Sequence, residues 1–285
     1  MLIIDGKKFA KALRAKIKSQ ILKIKKRKKL IPGLTVILVG DHPASAIYVK
    51  NKQLSAKEVG MNSSVLRFKS SISQQKLITV VKKLNKNPRV HGILIQLPLP
   101  KHINSNSVIE TINPLKDVDG FHATNVGNLS IGKDSFVPCT PLGCYILLKS
   151  IKKNLSGLNA LIIGRSNLNG KPMTQLLLKE DCTVTIAHSK TKNLKHLCRQ
   201  AAIVIAAVGR AKLVKGDWVK RGAIVIDVGI NRINFKGSSK IVGDVDFESV
   251  RKKAYAITPV PGGVGPMTIA CLLNNTLKAY KNIHS

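Results

Sequence analysis

The stretch from Ala160 to Leu178, ALIIG-RSNLNG-KPMTQLLL, limits the fold more than any other part of the chain. Apolar residues run up to Gly164, a short polar loop follows, and Gly170 opens a helix-like run with Pro172 close to its first turn. Strand, glycine turn and helix in that order form the unit from which doubly wound sheets are built. Free N–H groups and the positive end of the helix dipole then face whatever anion sits there, the loop form that cradles a dinucleotide pyrophosphate. The spacing is not G-x-G-x-x-G, and a tight strand–helix turn with no ligand explains the stretch equally well at this point.

The next strand, Thr183 to Ala187, ends at His188-Ser189-Lys190. In an NAD-binding unit this region supplies an acid to the ribose 2′-hydroxyl. Here it holds a hydroxyl and a cation, and Arg165 stands inside the glycine loop. A carboxylate would repel a 2′-phosphate, whereas Ser189, Lys190 and Arg165 favour one, so the expected cofactor is NADP. Without the glycine loop, Ser189 and Lys190 would read as ordinary polar loop residues.

Strands and helices also alternate in the first third of the chain. Leu34–Gly40 is a buried-type strand, Asp41 with Pro43 starts a helix and Gly60 stops it. Ser64–Phe68, a helix over Gln74–Leu84 with Leu77, Val81 and Leu84 on one face, and a strand over Gly92–Gln96 follow. Val137–Pro141 separates this part from the glycine-loop half, with Thr140-Pro141 capping a helix that runs to Ile151. Beyond the glycine loop lie strands Ile203–Val208 and Ala223–Val228 and a last helix, Thr268–Tyr280. The expected fold is α/β in two domains, each with a mainly parallel sheet, the second a Rossmann-like NADP-binding domain. Residues 1–139 form the first domain, completed by the C-terminal helix at 268–285, and residues 140–267 form the second.

The 285 residues are 44% hydrophobic, enough to bury two medium cores, but no apolar run is long enough to span a bilayer. The start, MLIIDGKKFA, lacks the long apolar run of a signal peptide and is expected to go straight into amphipathic helix. Five cysteines without a C-x-x-C pair point to reduced thiols in a cytoplasm, not to a disulfide framework or a metal site. The net charge of +34 suggests a polyanion partner. Its lysines, however, are spread along the chain, and the one dense block, Lys23–Lys29, continues a helix whose apolar stripe is Phe9, Leu13, Ile17, Ile21 and Ile24. Aromatic residues, at 4%, are too few for a base-stacking surface. Compositional bias on an ordinary enzyme is the better reading, with non-specific nucleic-acid binding at low salt.

Tyr48 and Lys52 lie four apart and share a helix face. In so lysine-rich a chain, a snorkelling surface lysine explains that pair as well. Gln96 ends a buried strand and leads into Leu97-Pro98-Leu99-Pro100, a rigid loop whether or not the amide reaches a crevice. Asp117 and Asp119 are paired acids in a chain poor in acids, and a turn held by Asp side chains is the plain alternative to a binding role. In the loop Pro259–Pro266, three prolines and three glycines combine rigidity with close backbone approach, which favours lining a ligand.

Taken in order, YVKNK (48–52), QLPLP (96–100), KDVDGF (116–121), PCTPLG (138–143), GRSNLNGKP (164–172) and TPVPGGVGPMT (258–268) closely resemble one family over essentially the whole chain. It is that of the bifunctional methylenetetrahydrofolate dehydrogenase/methenyltetrahydrofolate cyclohydrolases of FolD type. The resemblance implies two reactions in one cleft: hydride transfer from methylenetetrahydrofolate to NADP, then hydrolysis of the methenyl cation to 10-formyltetrahydrofolate. It further implies Lys52 as catalytic residue with Gln96 beside it, and Tyr48 stacking on the folate. Asp119 would hold the pterin as a carboxylate facing a donor pair, with Pro98, Pro261, Gly262 and Gly263 along the rest of the substrate. Gly164, Arg165, Ser166, Ser189 and Ile230 would line the NADP site. A homodimer is implied, as are tetrahydrofolate substrates, polyglutamylated forms included, whose anionic tails a basic surface would attract.

Three positions depart from the family pattern: Asn169 before Gly170, Ala202 where an Asp is common, and Lys190 where an Arg is common. None touches the proposed catalytic set. Two other classes compete: a lysine-using NADP dehydrogenase of shikimate-dehydrogenase type, which has no need of the loop at 259–266, and a nucleic-acid-binding protein on the same fold. A dehydrogenase without the hydrolytic step is a variant of the first reading.

Overall fold

A computed structural model describes residues 1–28, 30–235 and 238–284. The chain divides into two compact units. The first comprises Lys11–Cys139 and Ile269–Ser285, the second Met1–Ala10 and Thr140–Thr268.

The strands are β1 (Leu2–Ile3), β2 (Gly33–Val39), β3 (Asn62–Phe68), β4 (Gly92–Ile95), β5 (Asn159–Ile163), β6 (Thr183–Ala187), β7 (Ile203–Ala206), β8 (Ile224–Asp227), β9 (Asn231–Phe235), β10 (Ser238–Val242) and β11 (Ala256–Ile257). The helices are α1 (Gly6–Arg27), α2 (Pro43–Glu58), α3 (Gln74–Lys86), α4 (Ser105–Ile109), α5 (Ala123–Ser130), α6 (Cys139–Ile151), α7 (Gly170–Leu178), α8 (Leu194–Gln200), α9 (Phe247–Val250) and α10 (Val264–His284).

In the first unit a three-stranded parallel sheet is ordered β3-β2-β4. Every residue of β2 and β4 is buried, as their unbroken apolar sequences require of strands covered on both faces. Ile37, Val39, Ile93 and Ile95 pack with Leu77 and Val81 of α3, so the expected face of that helix is the one that meets the sheet. Ile17 and Ile21 of α1 are also buried, and Lys23, Lys25, Lys26 and Lys28 are exposed. Lys29, the end of the basic block, lies outside the described residues.

In the second unit a six-stranded parallel sheet is ordered β1-β11-β8-β7-β5-β6. Leu161, Ile163, Val204, Ala206 and Val225 form the centre of its core. In both sheets an inner strand, β2 or β5, takes the next strand in the chain, β3 or β6, on one side and the one after, β4 or β7, on the other. That reversal leaves a crevice at the carboxyl ends of the strands, β2 and β4 in one unit, β5 and β7 in the other.

Several boundaries differ from the sequence reading. The chain does not enter helix directly, because Leu2–Ile3 pairs with β11 as an edge strand. The last helix begins at Val264, inside the proline–glycine loop, and runs to His284. His42 precedes α2, with Pro43 in its first turn, and makes no side-chain cap. Gln96 lies just past β4, its N–H donating to the Ile37 carbonyl at 2.9 Å. Among the described residues no helix is long and apolar enough to cross a membrane, and no group of three or more His, Cys, Asp or Glu is placed to hold a metal ion.

Candidate active site

In the first unit α2 carries Tyr48 and Lys52 one turn apart. The Lys52 side chain is buried, and its Nζ donates to Gln96 Oε1 at 3.0 Å. Gln96 Nε2 in turn donates to the Leu97 carbonyl at 2.9 Å, so the amide is held with its oxygen toward the amine. The spacing of Tyr48 and Lys52 alone allowed a snorkelling surface lysine; burial and a neutral side-chain acceptor set this one apart. Tyr48 is half-exposed, and partial burial pushes its phenol above the ordinary value. Pro98, reached through a cis peptide bond from Leu97, is exposed beside the amide.

The paired acids have different surroundings. Asp117 is buried and saturated: it accepts from Gly120 N at 3.1 Å, His122 N at 2.8 Å and Asn125 Nδ2 at 2.9 Å. It is the Asp-held turn that the sequence offered as the plain alternative. Asp119 is only half-buried and lies within electrostatic reach of Lys52. Burial pushes its carboxyl up, the Lys52 charge draws it down, and the Asp117 charge adds to the rise.

The segment between the two acids is held from several sides. Asn275 of α10 donates to the Val118 carbonyl at 2.9 Å and to the Val137 carbonyl at 3.0 Å. Gly120 has φ +75°, and a Cβ there would stand 2.4 Å from the Phe136 carbonyl oxygen, so only glycine fits. Cys139, a residue that sequence reasoning did not single out, donates its thiol to the Val118 carbonyl at 3.4 Å beside Asp119, and burial holds that thiol well up. The unit therefore gathers a buried amine, a neutral amide and a half-buried carboxylate, groups able to hold a donor-rich heterocycle and to move a proton beside it.

In the second unit Gly164 leaves β5 at φ +125°, its N–H donating to the Ala187 carbonyl at 2.8 Å. A Cβ on Gly164 would meet the Ala207 carbonyl oxygen at 2.3 Å, and one on Gly170 would meet the Gly164 carbonyl oxygen at 2.0 Å. Both glycines are thus required by packing, and they leave the loop backbone open. The Ser166 hydroxyl accepts from Asn169 N at 3.1 Å, so Asn169 serves the loop through its backbone.

The loop borders a cleft of about 480 Å³, whose wall includes Gly164, Arg165, Ser166, His188, Ser189 and Arg210. The wall carries two guanidinium groups and hydroxyls and no carboxylate. Exposed glycine-loop backbone beside cations fits a dinucleotide with an added phosphate. Ile230 is exposed ahead of β9 and is not part of this wall. Arg210, His188 and Thr191 are wall residues that sequence reasoning missed, although Gly209-Arg210 repeats the pattern of Gly164-Arg165.

The proline–glycine loop is bound to the chain's own start. Lys7 N donates to the Gly262 carbonyl at 3.1 Å, and a Cβ on Gly6 would stand 1.7 Å from the Gly263 carbonyl oxygen. Gly262 has φ +109°, and a Cβ on Gly263 would meet the Pro259 carbonyl oxygen at 2.6 Å. Internal packing therefore accounts for these two glycines, while Pro261 is exposed.

Comparison with known proteins matches residues 4–119 to the tetrahydrofolate dehydrogenase/cyclohydrolase catalytic domain and residues 138–284 to the NAD(P)-binding domain of the same family. The bifunctional protein FolD of Pelagibacter ubique is 59% identical over 281 residues, covering 99% of both chains. The crystal structure of FolD from Campylobacter jejuni is similar at TM-score 0.96 and 48% identity, over 99% of both chains. That of the Trypanosoma brucei enzyme, complexed with NADP cofactor and inhibitor, gives TM-score 0.96 at 36% identity, over 100% of this chain and 98% of that one.

Proposed function

The chain belongs to the tetrahydrofolate dehydrogenase/cyclohydrolase family, and from that premise we propose how its residues serve the two activities. It is an NADP-dependent methylenetetrahydrofolate dehydrogenase and methenyltetrahydrofolate cyclohydrolase. The two rival classes are not favoured.

We assign Asp119 to the pterin, its carboxylate accepting from the ring's amino and N3–H donors in bidentate fashion. Tyr48 lies over the folate, and Pro98, Pro261, Gly262 and Gly263 complete the substrate's surroundings. Gly164, Arg165, Ser166 and Ser189 hold the cofactor's phosphates through backbone N–H groups, hydroxyls and a guanidinium; Ile230 lies beside its nicotinamide end. When bound, NADP supplies the hydride acceptor for oxidation of the bridging carbon.

Lys52 serves the hydrolytic half. Water adds to the carbon between N5 and N10 of the methenyl cation, and Lys52 takes the proton that water loses. As the bond from carbon to N5 breaks, Lys52 returns that proton to N5 and the carbinol hydroxyl gives up its own to solvent, leaving the formyl group on N10 and one proton released overall. Gln96 aims the amine while adding no charge of its own. The observation that carries this reading is the 3.0 Å bond from buried Lys52 to Gln96, with Asp119 in reach.

The test is Lys52→Gln, with NADPH and methenyl absorbance followed separately. Loss of general acid–base catalysis costs about 10²- to 10⁴-fold, so hydrolysis should fall by that order while hydride transfer keeps a larger share. Equal loss of both activities would remove Lys52 from this role. A homodimer in the cytoplasm completes the proposal, and sedimentation velocity at micromolar concentration tests the dimer.

A further inference from the structure

Arg210 has no part in the assignments above, yet it stands on the wall of the cofactor cleft with Arg165. The two arginines stand in similar loops, Arg165 directly after the glycine that follows β5 and Arg210 somewhat further past the end of β7. Each follows a positive-φ glycine at the carboxyl end of a strand, Gly164 at φ +125° after β5 and Gly209 at φ +67° near the end of β7. These strands are parallel neighbours, so the two guanidinium groups arise on adjacent strand ends at the point where the strand order reverses.

The position of Arg210 is built into the fold. Asp244 is fully buried, and its Oδ2 accepts from both Val208 N at 2.6 Å and Gly209 N at 2.9 Å. Its Oδ1 accepts from Asn231 Nδ2 at 2.8 Å, and its own N–H donates to Asp227 Oδ1 at 2.9 Å. Lys212 N donates to the Gly243 carbonyl at 2.9 Å, which fixes the chain on the far side of Arg210. The carboxylate that shapes the loop is thus engaged by other donors. Among the described residues neither Arg165 nor Arg210 forms a salt bridge.

Two unneutralised guanidinium groups on one concave wall concentrate positive potential that an anion relieves. A phosphomonoester carries nearly two negative charges near neutral pH, more than one guanidinium neutralises. We infer that Arg210 is a second guanidinium for the adenosine 2′-phosphate of NADP, acting with Arg165 and Ser189. The inference rests on the reading of this cleft as the cofactor site. It makes Arg210 a determinant of NADP over NAD.

The test measures binding, not turnover. Dissociation constants of NADP, NAD and 2′,5′-ADP are determined by calorimetry on the full chain for wild type, Arg210→Gln, Arg210→Lys and Arg165→Gln, at low and physiological salt. Charge-assisted contacts of this kind are worth about tenfold or more. Arg210→Gln should weaken NADP and 2′,5′-ADP by at least that factor, keep NAD within about twofold, and flatten the salt dependence of NADP binding. Arg210→Lys should recover part of the loss. A loss shared equally by NADP and NAD, or no loss at all, overturns the assignment to the 2′-phosphate. Arg165→Gln separates this from failure of the underlying reading: if it too leaves NADP binding intact, the cleft is not the 2′-phosphate site and the inference for Arg210 falls with it.

Discussion

Both units reverse their strand order around an inner strand, and both carry candidate functional groups toward that reversal, but with different materials. In the three-stranded unit the groups are side chains: Lys52, Gln96 and Asp119, set in place by a saturated Asp117 and by Asn275. In the six-stranded unit the backbone leads. Gly164 and Gly170 clear space for the loop, and cations stand around it. A proton-transfer site needs named chemical groups at fixed points, whereas a phosphate site needs N–H groups and positive charge, which the chain supplies wherever glycine lets it approach. On the proposed assignment, the same topology serves both tasks by changing what is placed at the crevice.

The sharpest way to break the comparison is to give each unit one misplaced methyl group. Gly164→Ala and Gly120→Ala both force a side chain into the positive-φ region and against a carbonyl oxygen, at 2.3 Å and 2.4 Å respectively. Backbone strain and overpacking together cost roughly 3 kcal/mol or more. Gly164→Ala should lower NADP affinity at least tenfold and leave folate-analogue binding within twofold; Gly120→Ala should do the reverse. Thermal unfolding and equilibrium binding of the two ligands check this. If either variant abolished both ligands while remaining folded, the division between the units would fail.

A subtler probe bears on the side-chain site alone. Asp117→Asn keeps shape but turns an amide donor toward groups that already donate, so a buried hydrogen bond is lost and another opposed, at about 2 kcal/mol. Asp119 itself is untouched. The expected result is a KM for the folate substrate raised about tenfold with NADP binding unchanged. An unchanged KM would mean that the loop at 116–121 keeps Asp119 in place without its clamp.

How far each site was legible follows from the same difference in materials. Backbone-led sites leave glycines at characteristic places, so the loop at 164–170 and the strands around it were readable from the residues. The Lys52–Gln96 pair joins residues 44 apart in sequence, and no periodicity carries that distance; only the resemblance to a family brought the two together. Of the paired acids, the sequence offered turn and ligand as alternatives; the structure shows Asp117 holding the turn and sets Asp119 within electrostatic reach of Lys52. Arg210 was missed because a single Gly-Arg is a weak signal until its strand is known to lie beside β5. The hairpin of β9 and β10 went unread because Asn231–Phe235 is short and mostly polar, and β1 and β11 because two residues show no alternation.

The smallest expected effect sets the two units against each other in pH. In the three-stranded unit His91 is fully buried, its Nδ1 accepting from Gly33 N at 3.0 Å. Burial, with the neighbouring His284 and Lys116 charges, lowers its pKa to about 4. The unfolded chain then binds a proton below about pH 6.5 that the folded unit refuses, so this unit loses stability as pH falls from 6.5 toward 4. In the six-stranded unit burial raises Asp227 to about 7, against the pull of three backbone N–H groups and with a further push from Asp244. Here the folded unit holds the proton and the unfolded chain does not, so stability is present at low pH and lost as pH rises toward 7. Between pH 5 and 6.5 each effect is about 1.5 kcal/mol at roughly 1.36 kcal/mol per unit, with opposite signs. Amide hydrogen exchange separates them: protection in β2 and β4 should rise across that window while protection in β7 and β8 falls. Movement of both sets in one direction would show that the two buried groups do not govern their own units.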